Sequence, residues 1–357
     1  MDEKKRGGLI KIASFFFLKN LHRSYKVRNF ASGLRRLFML LNILYILLGF
    51  FLLVKGGDFL IDGAVTIAQR AKLSAMVIGI TVIGFGTSMP ELLVSTQAAW
   101  VGSSGLAIGN VAGSNIANIA LILGMTSLVC PLPSKRTMMR VDIPFMLLAM
   151  VLFIVVAYTG DTIQRWQGLC MVALLVAFIS WEVYRSRKKM KKEAEVLIPS
   201  MPLWRAILYV LVSLVAMVWG ADRLIEGSSA IAMELGEYFG VAKEEMERII
   251  GLTVVAVGTS LPELFASVMA ARKGETDMAV GNIIGSVSFN ILSVVGVASA
   301  ITPIQNAWTP FAIDYAVMIG LGVLLWIFLK THRRIVRYEG AILLIIYCLY
   351  IAKTLMV

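Results

Sequence analysis

The sequence predicts an all-α polytopic membrane protein: ten transmembrane helices arranged as two inverted five-helix repeats. Three observations predict it. Only 16% of the 357 residues are charged and 58% are hydrophobic, whereas soluble domains carry about 25% charged residues. Runs of about 20 apolar residues recur, each long enough to cross a bilayer as a helix. Finally, adding 172 to a position in 79–124 gives a partner in 251–296 without a gap, and 21 of these 46 pairs are identical.

Ten spans are expected near 38–68, 74–101, 104–130, 141–159, 163–185, 203–233, 247–271, 277–301, 311–330 and 336–356. The first and sixth are the longest, so they should tilt or extend past the membrane. Residues 38–185 then form a first repeat of five spans, 186–202 a short basic cytoplasmic loop, and 203–357 a second repeat of five spans. Upstream the match continues at an offset of 164, so an insertion of 8 residues is expected in the second half, near Val241–Arg248. Residues 1–37 form a basic extension broken by the apolar Ile12–Leu18, which is too short to span. An interfacial amphipathic helix and a translation start at Met39 both remain open for it.

Each half has an odd number of spans, so the halves should cross the membrane in opposite senses, with a site between them near the midplane. The cations agree. Loops after spans 1, 3, 5, 7 and 9 carry Arg70/Lys72, Lys135/Arg136/Arg140, Arg185 to Lys192, Arg272/Lys273 and Lys330/Arg333/Arg334/Arg337. The loop after span 6 is acidic, with Glu234, Glu237, Glu244, Glu245 and Glu247. Odd-numbered loops are therefore expected in the cytoplasm. The chain is expected to be a multi-pass protein of the plasma or inner membrane.

The net charge of +12 does not indicate a nucleic-acid partner, because Lys and Arg cluster between apolar runs as loops do. Cys130, Cys170 and Cys348 are scattered without a CxxC pair and are read as packing residues. His22 and His332 lie in basic stretches and are read as solvated surface. No cofactor and no obligate protein partner is indicated; the expected surroundings are the lipid bilayer.

The chemistry centres on Gly86-Thr87-Ser88-Met89-Pro90-Glu91 and its copy Gly258-Thr259-Ser260-Leu261-Pro262-Glu263. A carboxylate inside a membrane segment is costly and marks a functional site by default. Pro90 cannot donate to the carbonyl of Gly86. Thr87, Ser88 and Glu91 are expected on one helix face by their spacing, and Ser114 and Asn118 share a face of the next span. The second copy supplies Thr259, Ser260, Glu263, Ser286 and Asn290 at the same spacing. The candidate metal ligands are thus Thr87, Ser88, Glu91, Ser114, Asn118, Thr259, Ser260, Glu263, Ser286 and Asn290. All are hard oxygen donors, a set that suits Ca²⁺ and Na⁺ rather than Zn²⁺ or Cu. Any one hydroxyl alone would read as helix glue. Asn110 and Asn282 either line this site or tie helices together. Asp58, Asp62, Asp222 and Glu226, near the ends of apolar runs, are read as interfacial or capping residues.

These two motifs, with Gly109-Asn110-Val-Ala-Gly113-Ser114-Asn115-Ile-Ala-Asn118 and Gly281-Asn282-Ile-Ile-Gly285-Ser286-Val287-Ser-Phe-Asn290, resemble the alpha repeats of the sodium/calcium exchanger family within the calcium:cation antiporters. The short loop after span 5 resembles the prokaryotic members. The resemblance implies that Glu91 and Glu263 bind Ca²⁺ and Na⁺ alternately. Asn290 stands where some members have Asp, and Val287 departs from the usual Asn. Proton-coupled branches have Glu soon after the Gly-Asn, where this chain has Ser114 and Ser286, which favours Na⁺ over H⁺. The expected function is a secondary active antiporter that exchanges Ca²⁺ for Na⁺ by alternating access. A K⁺-dependent or H⁺-coupled antiporter of Ca²⁺ or another divalent cation is the alternative. An enzyme is not expected: an intramembrane hydrolase would need a base near Ser88 or Ser260, and no His lies within a span.

Overall fold

Apolar runs fold as helices here because a bilayer leaves no water for unpaired backbone groups. The computed structural model describes residues 38–160, 162–190, 201–240, 256–305, 308 and 311–356. The N-terminal extension with His22, the expected insertion and residues 191–200 lie outside them. The helices are α1 Phe38–Ala71, α2 Ala75–Thr87, α3 Met89–Trp100, α4 Ser104–Val129 and α5 Met138–Thr159. There follow α6 Arg165–Met190, α7 Leu203–Phe239, the short α8 Ala256–Gly258 and α9 Leu261–Arg272. The chain ends with α10 Thr276–Ile301, α11 Ala312–His332 and α12 Arg337–Met356. Among the described residues seven helices are long and apolar enough to cross a membrane, and α2 with α3 forms one more, bent by 47°. The protein is a helical, multi-pass membrane protein.

Three expectations are corrected. The span containing Thr87, Ser88 and Glu91 breaks at Ser88 (φ −85°, ψ 7°), so these residues do not share one face. Pro90 stands in the first turn of α3 and cannot continue the hydrogen-bond ladder of α2. Secondly, α7 continues to Phe239, which places Glu234 and Glu237 on its last turns rather than in a loop. Thirdly, α6 runs to Met190, so Arg187, Lys188 and Lys189 belong to its last turn, where cations favour the helix dipole.

Repeat-related positions fold alike. The break at Ser88 has its counterpart at Ser260 (φ −92°, ψ 7°). Gly102 and Gly274 both take left-handed φ, +79° and +81°, in the turns before α4 and α10. Only glycine enters that region without strain.

Helix directions follow from close contacts. On α1, Gly49, Gly56 and Gly63 face Gly220, Met217 and Ala206 of α7, so the two helices run antiparallel. On α2, Met76 and Ile80 face Gly281 and Gly285 of α10, so these run parallel. A Cβ added at Gly285 would come within 2.6 Å of the Ile80 carbonyl oxygen; glycine is what allows the two backbones to touch.

Short strands join the connections. β1 Leu132–Pro133 pairs antiparallel with β4 Arg334–Ile335, and β2 Thr162–Ile163 with β3 Ile304–Gln305. Gln305 N also donates to Ser104 Oγ at 3.1 Å, Arg70 Nη2 to Met201 O at 2.7 Å, and Lys135 pairs with Asp277. Each of these contacts links odd-numbered connections with each other or even-numbered ones with each other. Lys273 Nζ lies 2.7 Å from Asp62 Oδ1, and Arg223 pairs with Glu226. Cys170 and Cys348 are exposed on the outer surface rather than packed; Cys130 is half-buried.

Candidate functional site

Residues from both halves converge where α2 and α3 meet α9 and α10. Glu91 and Glu263 are both 0% exposed. Thr87, Ser88, Ser114, Asn118, Ser260, Ser286 and Asn290 are buried with them, and Thr259 is half-buried just after α8. The helix break presents Ser88 to the other half: its Oγ donates to Glu263 Oε1 at 3.2 Å. Thr87 Oγ1 lies 3.0 Å from Ile83 O and 3.3 Å from Asn282 Oδ1. Ser286 Oγ lies 3.4 Å from Gly84 O.

Each asparagine of the candidate site stands in a π-helical turn, Asn118 in Ala117–Ile122 and Asn290 in Asn290–Val295. Such turns widen a helix locally and often accompany function. The turn with Asn118 packs on α9, which carries Glu263; the turn with Asn290 packs on α3, which carries Glu91. A third π-helical turn, Gly79–Ile83, precedes Thr87.

Asn110 and Asn282 act as ties. Asn110 Nδ2 donates to Glu91 O at 3.3 Å and Ser95 Oγ at 2.8 Å. Asn282 Nδ2 donates to Glu263 O at 3.2 Å and Ser267 Oγ at 2.9 Å. Each fixes the backbone of a glutamate. Sequence reasoning misses Ser95 and Ser267, although they are an identical pair at the 172-residue offset. Val287 is fully buried in the apolar core, whereas its counterpart Asn115 contacts Met318 Sδ at 3.7 Å.

Several buried polar atoms here have no hydrogen-bond partner: both oxygens of Glu91, Oε2 of Glu263, Oγ of Ser260, Oδ1 of Asn118 and both amide atoms of Asn290. Buried polar groups are nearly always paired. A cluster of orphaned oxygens around two carboxylates has the donor chemistry for a hard cation.

The family described as sodium/calcium exchanger protein matches residues 41–184 and 205–356. The chain belongs to that family. It is 35% identical over 323 residues to the putative antiporter CaxA of Alkalimonas amylolytica, covering 87% of this chain and 98% of the relative. It is 33% identical over 348 residues to the sodium/calcium exchanger MaX1 of Methanosarcina acetivorans, covering 87% and 97%. Among solved structures, the sodium-calcium exchanger NCX_Mj superposes with a TM-score of 0.73 at 30% identity, covering 88% of this chain and 99% of that one. The family is one of cation antiporters, and the chain is a transporter of this kind rather than an enzyme.

Proposed function

We propose that the chain exchanges Ca²⁺ for Na⁺ by alternating access at the site formed by Glu91, Glu263, Thr87, Ser88, Thr259, Ser260, Ser114, Ser286, Asn118 and Asn290. The observation that carries this reading is the pair of fully buried carboxylates with one hydrogen bond between their four oxygens. An uncompensated buried charge costs several kcal/mol. Two carboxylates neutralise one Ca²⁺, and Na⁺ competes for the same oxygens. MaX1 and NCX_Mj are named as sodium/calcium exchangers.

The ten-span, inverted plan with halves at 38–185 and 203–357 is supported by antiparallel α1 and α7 and by parallel α2 and α10. A chain whose odd-numbered spans all run one way requires both relations. The odd-numbered, Lys- and Arg-rich connections then face the cytoplasm of a plasma or inner membrane. The antiparallel α1–α7 pair, 34 and 37 residues long, is the element that slides between inward and outward states.

The test is Ca²⁺ uptake into proteoliposomes with Na⁺, K⁺ and H⁺ gradients imposed one at a time. Uptake is expected with the Na⁺ gradient alone and is expected to fall to background in Glu91→Gln and Glu263→Gln. Uptake driven only by H⁺, or requiring K⁺, would select the alternative couplings. Undiminished flux in both variants would overturn the site.

A further inference from the structure

A second group of buried carboxylates lies away from the candidate ion site. Asp142 ends a π-helical turn at the start of α5, and Glu182 stands near the C-terminal end of α6. Their side chains are 1% and 2% exposed. Arg185 lies one turn beyond Glu182. Its Nη2 is 2.6 Å from Glu182 Oε1 and 2.7 Å from Oε2, but 3.7 Å from Asp142 Oδ1. The guanidinium lies closer to Glu182, and neither oxygen of Asp142 accepts a hydrogen bond from an N–H or O–H donor. Both acids line a cavity of about 270 Å³ whose wall includes Ser74, the cap of α2, Val77 of α2, Ser186 of α6 and Asp277 of α10. Lys135, also in that wall, is 66% exposed.

Two ionised carboxylates against one guanidinium would leave an uncompensated charge in a buried wall. Such a group neutralises rather than remain charged. A metal ion is the poorer occupant, because Arg185, Lys135 and Lys189 all stand in the same wall and repel it. Among the described residues no three His, Cys, Asp or Glu side chains converge to hold one. Both carboxyls lie within 3.7 Å of the same Arg185 nitrogen, and one guanidinium balances only one of them, so a proton is the means left to neutralise the other.

We propose that Asp142 and Glu182 hold one proton between them on the face of the odd-numbered connections, and that its release loosens α6 from the start of α2. The link is short. Ser186 Oγ, on the turn after Glu182, accepts from Ser74 N at 2.8 Å. Ser74 caps α2, whose far end carries Thr87. The proton therefore acts on a helix of the candidate ion site from its opposite end. Of the elements around the pair, α2 presents no titratable group, α6 presents Arg185 and Lys189, and α10 presents Asp277, which pairs with Lys135. The turn that carries Asp142 also packs on α11, whose titratable groups at that end are Lys330 and His332.

The test is an infrared pH titration of the reconstituted Glu91→Gln/Glu263→Gln protein, in which the ion site's own carboxyls are removed. A protonated-carboxyl band that disappears on alkalinisation is expected, and it is expected to be lost in Asp142→Asn added to that background. Glu182→Gln, which frees Arg185 to pair with an ionised Asp142, is expected to lose the band as well and serves if Asp142→Asn does not fold. A band unchanged in both variants overturns the proposal, as does a band displaced at constant pH by Na⁺, K⁺ or Ca²⁺. In the otherwise unaltered transporter, exchange is expected to depend on pH at this face and Asp142→Asn to lose that dependence. Superimposable pH profiles would overturn the link to α2.

Discussion

In the first copy of the repeat Ser88 donates across the molecule to Glu263 at 3.2 Å; in the second copy Ser260, at the corresponding position, approaches Glu91 without making a hydrogen bond of that geometry. The local backbone does not explain this, since both serines occupy the same helix break with nearly the same angles. The neighbours differ as well. In the second copy Asn282 is buried and makes three contacts, to Glu263 O, Ser267 Oγ and Thr87 Oγ1. In the first copy Asn110 is only half-buried and holds Glu91 O and Ser95 Oγ alone. Duplication copies the chemistry and the local fold, but cross-half packing decides which bonds are made.

The largest test of this difference removes the two ties. Asn282→Ala is expected to lower stability by about 2–3 kcal/mol and Asn110→Ala by about 1, because the first leaves more buried partners unpaired. Melting temperatures of the purified variants in detergent read this; equal losses would mean the halves are held alike. A smaller effect is expected at the serines. With the proposed site, Ser260→Ala is expected to leave stability unchanged and to raise the Ca²⁺ concentration for half-maximal uptake by about tenfold, as the loss of one contact of roughly 1.4 kcal/mol would. Ser88→Ala, whose hydroxyl already serves Glu263, is expected to shift stability as well.

The smallest effect concerns the residue before α10. Glu275 occupies the place held by the uncharged Ser103 before α4. Burial raises the Glu275 pKa, Asp277 adds to this and Lys135 opposes it. Its folded pKa lies above the unfolded one, so its contribution to stability is present in acid and is lost as pH rises through the folded value. Glu275→Gln is therefore expected to melt higher than the unaltered protein at neutral pH. The gap should close below the ordinary carboxylate range.

The spans and the repeat are readable from the chain because each rests on a local signal, an apolar run or an identity at a fixed offset. Glu91 and Glu263 are readable because a carboxylate in an apolar run is too costly to stand there without a task. The break at Ser88 escapes a count along an unbroken helix, although Pro90 marks the place. The π-helical turns at Asn118 and Asn290 depend on how each helix packs on the opposite half, and no short-range pattern encodes that. Asp142 and Glu182 escape for a similar reason. They are 40 residues apart, each reads as an ordinary charge at the end of a span, and only the packing of α5 on α6 makes them a pair.

The seam between α2 and α10 also bears on how the protein is made. Gly79 meets Gly281, 202 residues further along the chain. At about 5–20 residues per second, synthesis of that interval takes roughly 10–40 s. Throughout it the glycine face of α2 lacks the α10 surface that covers it. The halves are therefore not modules that fold in turn. The first stays unfinished until the second is inserted, and assembly depends on the bilayer or the insertion machinery sheltering this face for that long.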